Sequence, residues 1–215
     1  MYQAFGSSAG DVPDDPLTYD QAMASDLKRE WHNAIQIELN SLKQCEAYVL
    51  VKRPVNKPVV GCRWVFKTKL DPEGDFTCYR ARLVAEGFSQ SFGIDCNETF
   101  APVVGHSSLR LLFAISAVKK LKIHHLDVNT AFLNGDLREE IFLELPEGFN
   151  DGSSQNCVLL LKKAVYGLRQ SARVWNEKAH EILLELGFVQ PNPKVKPCIY
   201  SRINCDMIMY SFVYG

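Results

Sequence analysis

The sequence predicts an α+β fold in which helices bracket the strands of one sheet. Three observations lead to this class. Segments near the start, middle and end of the chain carry apolar residues at the three- and four-residue spacing of amphipathic helices. Residues 61–86 alternate between apolar and polar side chains, as strands with one buried face do. Short apolar runs bounded by loop-forming residues predict further strands in the second half of the chain.

Length and composition are those of a globular domain. The 215 residues are 47% hydrophobic and 23% charged, and a chain of this length removes roughly 70% of its unfolded surface from water. No apolar run is long enough to span a membrane, and the first residues lack the basic and apolar regions of a secretory signal. Their Gly, Ser, Asp and Pro content predicts a disordered lead-in over 1–16, followed by a folded domain over 17–215.

The seven cysteines favour reduced thiols. They are scattered, odd in number and never spaced as C-x-x-C, and the five histidines do not cluster with them at the spacing of a zinc site. A zinc site or a disulfide framework is the weaker alternative.

The first predicted element is a helix within 17–47. Thr18 and Gln21 form a capping-box pattern at its start. Apolar residues then recur at helical spacing, which predicts a face that packs on the core. This face consists of Trp31, Ile35, Leu39 and Leu42.

Residues 61–86 predict a β-hairpin with one basic face. Basic and apolar side chains alternate in both arms, and the segment DPEGD places Pro and Gly where a turn needs them. Eight basic and four acidic residues give the block 51–90 a net charge of +4. If the basic faces of the two arms coincide, they form a surface suited to phosphates, and a merely solvated strand face is the alternative. The basic residues that would share this face are Arg63, Lys67, Lys69, Arg80 and Arg82.

The second half of the chain predicts alternating helices and strands. A helix capped by Ser107 runs to about Lys120, and the strand LKIHHLDV follows it. After a turn near Asn134–Gly135 come the strands EEIFLELP and CVLLLKKAVYGL, then a helix closed by Gly187. Two strands, CIYSRI and MIMYSFVYG, stand last. The predicted inward faces of the two helices are Leu109, Leu112, Phe113 and Ala117, and Ala172, Trp175, Ala179, Ile182, Leu183 and Leu186.

Asp127 lies in IHHLDVNTAFLNGDL, residues 123–137, where a carboxylate directly follows an apolar run. One carboxylate at a strand end is commonly structural, whereas two or three that converge on a cleft hold a metal ion. A partner for Asp127 would therefore decide between these interpretations. The acidic residues between 136 and 144 have no spacing that makes them such a partner.

Several long motifs, in a fixed order, resemble the reverse transcriptase domain of copia-type LTR retrotransposon Pol polyproteins. They are GCRWVFKTKLDPEGDFTCYRARLVAEGFSQSFGIDCNETFAPV, LRLLFAISA, HHLDVNTAFLNGDLREEIFLELPEGF and LLLKKAVYGLRQSARVW. With the segment 31–51 they cover nearly everything after residue 17. The resemblance implies a polymerase right hand, with fingers at about 17–105 and palm at about 106–215. This hand would be incomplete, with a palm truncated before the Asp-Asp turn of the family and with no thumb.

The resemblance also implies site residues. Asp127 matches the first catalytic aspartate of the palm and would bind Mg²⁺, with the carbonyl of Val128 as a further ligand. Phe132 matches the bulky residue that excludes a ribose 2′-hydroxyl, and a core role is its alternative. The hairpin 61–86 corresponds to the fingers ribbon that closes over the incoming nucleotide. The implied nucleotide-binding residues are Lys67, Lys69, Arg80, Arg82 and Phe132.

Residues 166–173, YGLRQSAR, match the strand–turn–helix segment that touches the template–nucleotide base pair in the family. The resemblance implies such contacts for Tyr166, Gln170 and Arg173. Gly167 would let the backbone approach the substrate closely, because glycine has no Cβ. For each of the three side chains, a purely structural role is the alternative.

These features predict an RNA-directed DNA polymerase domain that transfers a nucleotide to a primer 3′-hydroxyl by a two-metal mechanism. The implied partners are an RNA or DNA template-primer and dNTP, the cofactor is Mg²⁺, and no membrane is involved. The Tyr-x-Asp-Asp turn of the family is expected after MIMYSFVYG, but no Asp-Asp pair follows Asp127. This fragment is therefore predicted to be incompetent alone.

Two other functions stay open. The first is a non-catalytic nucleic-acid-binding remnant, from a degraded or domesticated element. The second is a nucleotidyltransferase that acts on a small molecule. The missing second acidic motif counts against this activity as much as against the polymerase. The thumb, ribonuclease H, integrase and protease portions of such polyproteins are also absent from the 215 residues. The usual location of the family is a cytoplasmic virus-like particle, and the reduced cysteines agree with that compartment.

Overall fold

The computed structural model describes residues 14–149, 156–194, 197–204 and 207–212, and it has the predicted mixed α+β architecture. Most of the predicted lead-in, residues 1–13, lies outside the described residues. The helices are α1 (Tyr19–Ala24), α2 (Lys28–Gln44), α3 (His106–Val118) and α4 (Ser171–Glu185). The strands are β1 (Tyr48–Lys52), β2 (Val59–Val60), β3 (Cys62–Leu70), β4 (Phe76–Ala85), β5 (Asp136–Leu143), β6 (Cys157–Lys163), β7 (Ile199–Asn204) and β8 (Met207–Phe212).

The predicted first helix is two helices. Thr18 begins α1, and its Oγ1 accepts a hydrogen bond from the N–H of Gln21 at 3.2 Å, as the capping pattern predicted. The helix ends because Ser25 adopts an extended backbone, with its hydroxyl donating to the carbonyl of Ala22 at 2.8 Å. The longer α2 then follows, and its predicted apolar face is confirmed at Trp31 and Ile35, which are 2% and 1% exposed.

The strands form three sheets rather than the single predicted one. A four-stranded sheet has the order β1-β6-β5-β2, in which β2 runs parallel to β5 and the other neighbours are antiparallel. The antiparallel pairs β3–β4 and β7–β8 are separate two-stranded sheets. The inner face of the large sheet, including Ile141, Leu143 and Leu159, belongs to one buried cluster with Ile35 of α2. This cluster is the main core.

The β3–β4 pair, called the ribbon below, packs one face on α2. Trp64, Phe66 and Leu83 are at most 4% exposed on that face. The ring of Trp31 on α2 meets the ring of Phe66 edge to face, with centroids 5.3 Å apart. Such an aromatic pair contributes about 0.5–1.5 kcal/mol beyond the area that it buries. The ribbon is therefore anchored to the core through its apolar face.

Carboxylates occupy both outer edges of the ribbon. Asp15 Oδ1 accepts from the N–H of Thr68 at 2.6 Å, on the free edge of β3. Glu38 Oε1 of α2 accepts from the N–H of Leu83 at 3.3 Å, on the free edge of β4. Because these edge donors are already satisfied, the ribbon does not join the four-stranded sheet through them.

The region after residue 105 departs most from prediction. Helix α3 begins at His106 with Gly105 as its cap and no side-chain capping bond, so the predicted Ser107 cap is wrong. Leu112 is buried, but Phe113 is 44% exposed and Ala117 is also exposed. The predicted strand LKIHHLDV is an irregular segment.

Helix α4 ends as predicted but packs less than predicted. Gly187 follows the helix with a φ of +81, in the left-handed region that commonly ends a helix. The N–H of Phe188 then donates to the carbonyl of Leu183 at 2.9 Å. Ala179 is buried, whereas Ile182 and Leu186 are 38% and 53% exposed, so that part of the predicted inward face is wrong. None of the described helices combines the length and apolar character that a membrane crossing requires.

The cysteines in the described part of the chain are free thiols. Burial, together with the nearby carboxylates of Glu144, Glu86 and Glu147, raises the pKa of Cys62 to about 12. A protonated thiol is a poor nucleophile, so Cys62 serves packing and donates to the carbonyl of Glu144 at 3.3 Å.

Candidate functional site

The basic faces of the two ribbon arms coincide. In the β3–β4 register Lys67 lies opposite Arg80, and Val65 lies opposite Arg82. Residues directly opposite each other in an antiparallel pair project from the same face. The alternation therefore places these cations, with Lys69 and Arg63, on the face that points away from α2. Arg63, Lys67, Lys69 and Arg80 are exposed, and Arg82 is half-buried.

Two carboxylates modify the charge of this face. Asp15 Oδ2 pairs with the Lys67 ammonium at 2.8 Å. Burial alone would raise the pKa of Asp15, but the hydrogen bonds from Lys67 and Thr68 outweigh it and hold the pKa below its ordinary value. Burial raises the pKa of Glu38, although the charges of Arg80 and Arg82 act in the opposite direction.

Two ring contacts connect Arg82 through Tyr166 to Phe132. The guanidinium carbon of Arg82 lies 5.0 Å from the centroid of the Tyr166 ring. The rings of Tyr166 and Phe132 meet edge to face, with centroids 4.9 Å apart. Phe132 lies in the 3₁₀ helix Ala131–Asn134, and both rings are half-buried. These contacts connect the ribbon to the segment that follows Asp127.

Gly167 lets two backbones approach each other. Its φ is +90, and a Cβ at this position would lie 2.0 Å from the carbonyl oxygen of Ala85. The N–H of Ala85 donates to the carbonyl of Tyr166 at 2.7 Å, and Val84 forms a parallel bridge with Tyr166. The carbonyl of Ala85 therefore occupies the place that a Cβ would take, and the approach of Gly167 to a substrate stays a prediction.

Gln170 is buried in a network of amide groups. It is 1% exposed, and its Nε2 donates to the carbonyl of Asp95 at 3.0 Å. Its Oε1 accepts from Gln90 Nε2 at 3.1 Å, and Gln90 Oε1 accepts from the N–H of Arg169 at 2.9 Å. Gln170 thus contacts the loop at 87–95, and its contact with a base pair stays a prediction.

Arg173 forms ion pairs with two acidic residues. Its Nη2 lies 2.8 Å from Glu98 and 2.9 Å from Glu177, and its Nη1 donates to the carbonyl of Glu98 at 3.3 Å. A contact between Arg173 and a template would need to compete with these ion pairs. Sequence reasoning did not identify Gln90, Asp95 or Arg169, and no motif spacing signals a network that joins residues about 80 positions apart.

Asp127 is exposed and stands in the irregular segment before the 3₁₀ helix. Val128, which follows it, is 47% exposed. Thr130 bends the chain between Asp127 and Phe132, since its φ of 51 lies in the left-handed region that threonine rarely adopts. The carboxylate of Asp127 is thus accessible and lies five residues before the ring that contacts Tyr166.

The described residues do not form a complete Mg²⁺ site. Within 14–149, 156–194, 197–204 and 207–212, no three His, Cys, Asp or Glu side chains converge as metal ligands do. Asp127 and the carbonyl of Val128 supply oxygen donors, which Mg²⁺ prefers, but Mg²⁺ in proteins is usually bound through one or two carboxylates together with phosphates and water. These two residues fit part of such a site and do not fill it.

The chain is similar to known polyproteins over most of its length. It matches the reverse transcriptase (RNA-dependent DNA polymerase) family over residues 45–214. It is 38% identical over 188 residues to the retrovirus-related Pol polyprotein from transposon TNT 1-94 of Nicotiana tabacum, which covers 87% of this chain and 14% of that protein. It is also 38% identical over 201 residues to the Pol polyprotein from transposon RE1 of Arabidopsis thaliana, which covers 93% of this chain and 13% of that protein.

A more distant relative extends the likeness to fungi. The Transposon Ty1-NL2 Gag-Pol polyprotein of Saccharomyces cerevisiae is 26% identical over 92% of this chain and 11% of its own length. The chain therefore spans less than a sixth of the curated relatives named above. No solved structure matches it. On these matches, the chain belongs to the reverse transcriptase family, among the Pol polyproteins of copia-type retrotransposons.

Proposed function

We propose that this chain supplies the fingers and part of the palm of an RNA-directed DNA polymerase. The enzyme would transfer a nucleotide from dNTP to the 3′-hydroxyl of a primer on an RNA or DNA template. The observation that carries the proposal is the ribbon register, which gathers basic side chains from both arms on one face. Arg82 on that face is joined through Tyr166 to Phe132, close in sequence to the exposed Asp127.

Each part of the site has a role in this proposal. Lys67, Lys69, Arg80 and Arg82 bind the triphosphate, because Arg and Lys donate charged hydrogen bonds to phosphate oxygens. The Phe132 ring stands where the sugar binds and excludes a 2′-hydroxyl by its volume. Its half-burial, and its contact with a single other ring among the residues that the structure describes, agree with a side chain that is not purely core.

Asp127 and the Val128 carbonyl would supply part of the Mg²⁺ ligand set. When bound, such ions provide the positive charge that a displacement at phosphorus requires. No step is assigned to the described residues beyond this, because they complete no metal site. We further propose that the 215 residues alone do not polymerise, since no adjacent pair of aspartates follows Asp127 in the sequence.

A primer-extension assay tests the chemistry. With oligo-dT on poly-rA, dTTP and Mg²⁺, the 215-residue chain should incorporate no nucleotide. Template-dependent incorporation that disappears in Asp127→Asn would refute this inactivity and show that the chain holds a complete site. Incorporation that survives Asp127→Asn would show that Asp127 is not the catalytic carboxylate.

A binding assay tests the ribbon. Neutralising Lys67, Lys69, Arg80 and Arg82 together to Gln should weaken binding of the labelled primer–template, measured by fluorescence anisotropy. Between about 50 and 200 mM salt, the slope of log affinity against log salt should fall by about 0.7–0.9 for each phosphate that the variant no longer neutralises. A matched variant neutralises four exposed cations away from the ribbon and should change the slope less. Its positions are Lys28, Arg29, Lys43 and Lys119.

A second function, a non-catalytic nucleic-acid-binding remnant, is favoured by the incomplete set of metal ligands. It would show the same salt-dependent binding, and no incorporation even when the missing carboxylate motif is supplied on an extended chain. If the ribbon variant binds primer–template with an unchanged salt slope, the basic face is only a solvated surface and both functions lose their support. Assembly in a cytoplasmic virus-like particle is proposed with the polymerase function only.

A further inference from the structure

The guanidinium of Arg82 lies over the aromatic ring of Tyr166. Its Nε is buried and finds no hydrogen-bond partner among the described residues. The face of Tyr166 lies beneath it, with the guanidinium carbon 5.0 Å from the ring centroid. Lys67, by contrast, is paired with the carboxylate of Asp15. Arg82 is therefore a cation that is fixed in place while its donors are not consumed by a carboxylate.

The same ring also contacts Phe132, which lies with Tyr166 in the palm of the proposed hand, whereas Arg82 lies in the fingers. The two rings meet at an interplanar angle of 71°, an arrangement in which the edge of one ring meets the face of the other. A change in the orientation of Tyr166 would therefore alter the surroundings of both Arg82 and Phe132.

The backbone of Tyr166 is attached to β4. Its carbonyl accepts from the N–H of Ala85 at 2.7 Å, and it forms a parallel bridge with Val84. Gly167, directly after it, lies against the carbonyl of Ala85, so closely that no Cβ fits between them. Tyr166 is thus attached to the base of β4, a few residues along the strand from Arg82.

We propose that Tyr166 is a positioning residue that couples triphosphate binding to sugar selection. Its ring face orients Arg82 toward the phosphates, and its contact with Phe132 sets the position of the ring that excludes the 2′-hydroxyl. The proposal rests on the proposed function, in which Arg82 binds phosphate and Phe132 faces the sugar. It replaces the direct base-pair contact expected for Tyr166 with an action through two other side chains.

Calorimetric titration of the 215-residue chain with inorganic tripolyphosphate, in EDTA, measures the phosphate contact without a sugar, base or metal. Tyr166→Leu should weaken binding by about 3- to 10-fold, the range expected when a cation loses an aromatic face. Arg82→Met should weaken it at least as much. The double variant should be no weaker than Arg82→Met, because the ring acts through the guanidinium. Tyr166→Phe, which keeps the ring, should restore binding to within about 2-fold of the wild type.

The sugar contact is measured by the ratio of dATP to ATP affinities under the same conditions. The wild type should prefer dATP, and both Phe132→Leu and Tyr166→Leu should bring the ratio toward one. Phe132→Leu should also weaken tripolyphosphate binding, although Phe132 itself is not a phosphate ligand, because the Tyr166 ring loses its neighbour. This last effect tests the coupling even if Tyr166→Leu fails to fold.

The outcomes separate the phosphate site from the coupling. If Arg82→Met binds tripolyphosphate like the wild type, the proposed phosphate site is wrong whatever Tyr166 does. If Arg82→Met weakens binding while Tyr166→Leu and Phe132→Leu leave it unchanged, the phosphate site stands and the coupling through Tyr166 is wrong. Additive losses in the double variant would likewise overturn the coupling.

Discussion

Substituting Gly167 by alanine should disrupt the backbone contact between β4 of the ribbon and the segment before α4. The new Cβ would lie 2.0 Å from the Ala85 carbonyl oxygen and 2.7 Å from Val84 Cγ1, well inside van der Waals contact. The backbone would also have to hold a φ of +90 with a side chain attached. The two segments can move apart only by losing the hydrogen bond from the Ala85 N–H to the Tyr166 carbonyl.

These costs can be added approximately. The left-handed backbone costs about 1–2 kcal/mol, a forced shift of packed atoms about 1–3 kcal/mol, and the broken hydrogen bond about 1 kcal/mol. We expect Gly167→Ala to lower the free energy of unfolding by about 3–6 kcal/mol, which is a large part of the total for a domain of this kind. Urea unfolding followed by the fluorescence of the buried Trp31 and Trp64 measures it.

Gly74→Ala is the matched control. Gly74 has a φ of +94, close to that of Gly167, but nothing lies within 4 Å of the Cβ position. Only the backbone cost remains, so the expected loss is about 1–2 kcal/mol. If the two substitutions cost the same, the close approach of Gly167 to β4 does not exist in solution, and the attachment of Tyr166 to the ribbon is wrong.

Three further predictions concern buried polar groups. Gln90→Met removes the donor to Gln170 and to the carbonyl of Asp95, and it should cost about 1–3 kcal/mol in urea unfolding; a neutral result would mean that water satisfies these groups. Because the folded pKa of Asp15 is depressed, its stabilisation is present at neutral pH and lost on acidification, so the advantage of the wild type over Asp15→Asn should shrink as the pH falls below about 4. The folded pKa of Glu38 is raised, so the sign is reversed: relative to Glu38→Gln, the wild type should lose stability as the pH rises from about 4 to 7, and an opposite trend would mean that Arg80 and Arg82 outweigh burial.

The ribbon could be predicted from the sequence because its determinants are local. A period of two predicts which side chains share a face within each arm. The register between the arms does not follow from the turn alone, because a bulge shifts the pairing from Leu70–Phe76 to Lys69–Cys78 and so brings Lys67 opposite Arg80. The start of α1 and the end of α4 were predictable for the same reason, since Thr18 and Gly187 act on residues within a few positions along the chain.

The contacts of Gly167 and Gln170 could not be predicted, because their partners lie about 80 residues away along the chain. A motif identifies such residues without saying what they touch. In the structure Gly167 lies against the backbone of Ala85, and Gln170 contacts the Gln90 side chain and the Asp95 carbonyl.

The strand predicted at 121–128 failed for a different reason. Its apolar residues suit a strand, but a strand needs a neighbour to pair its backbone groups. In the described part of the chain, Ile123 and Leu126 are 59% and 84% exposed, with no strand beside them. Local pattern alone could not reveal that a pairing partner was lacking among these residues.

The carboxylates on Thr68 and Leu83 have a consequence for how copies of the chain meet. A two-stranded arm that presents unpaired amides is a template onto which a strand from another molecule can add. Here the side chains of Asp15 and Glu38 each accept from one such amide, Thr68 on β3 and Leu83 on β4. Each carboxylate therefore removes one donor that a strand from a second copy would need on that edge.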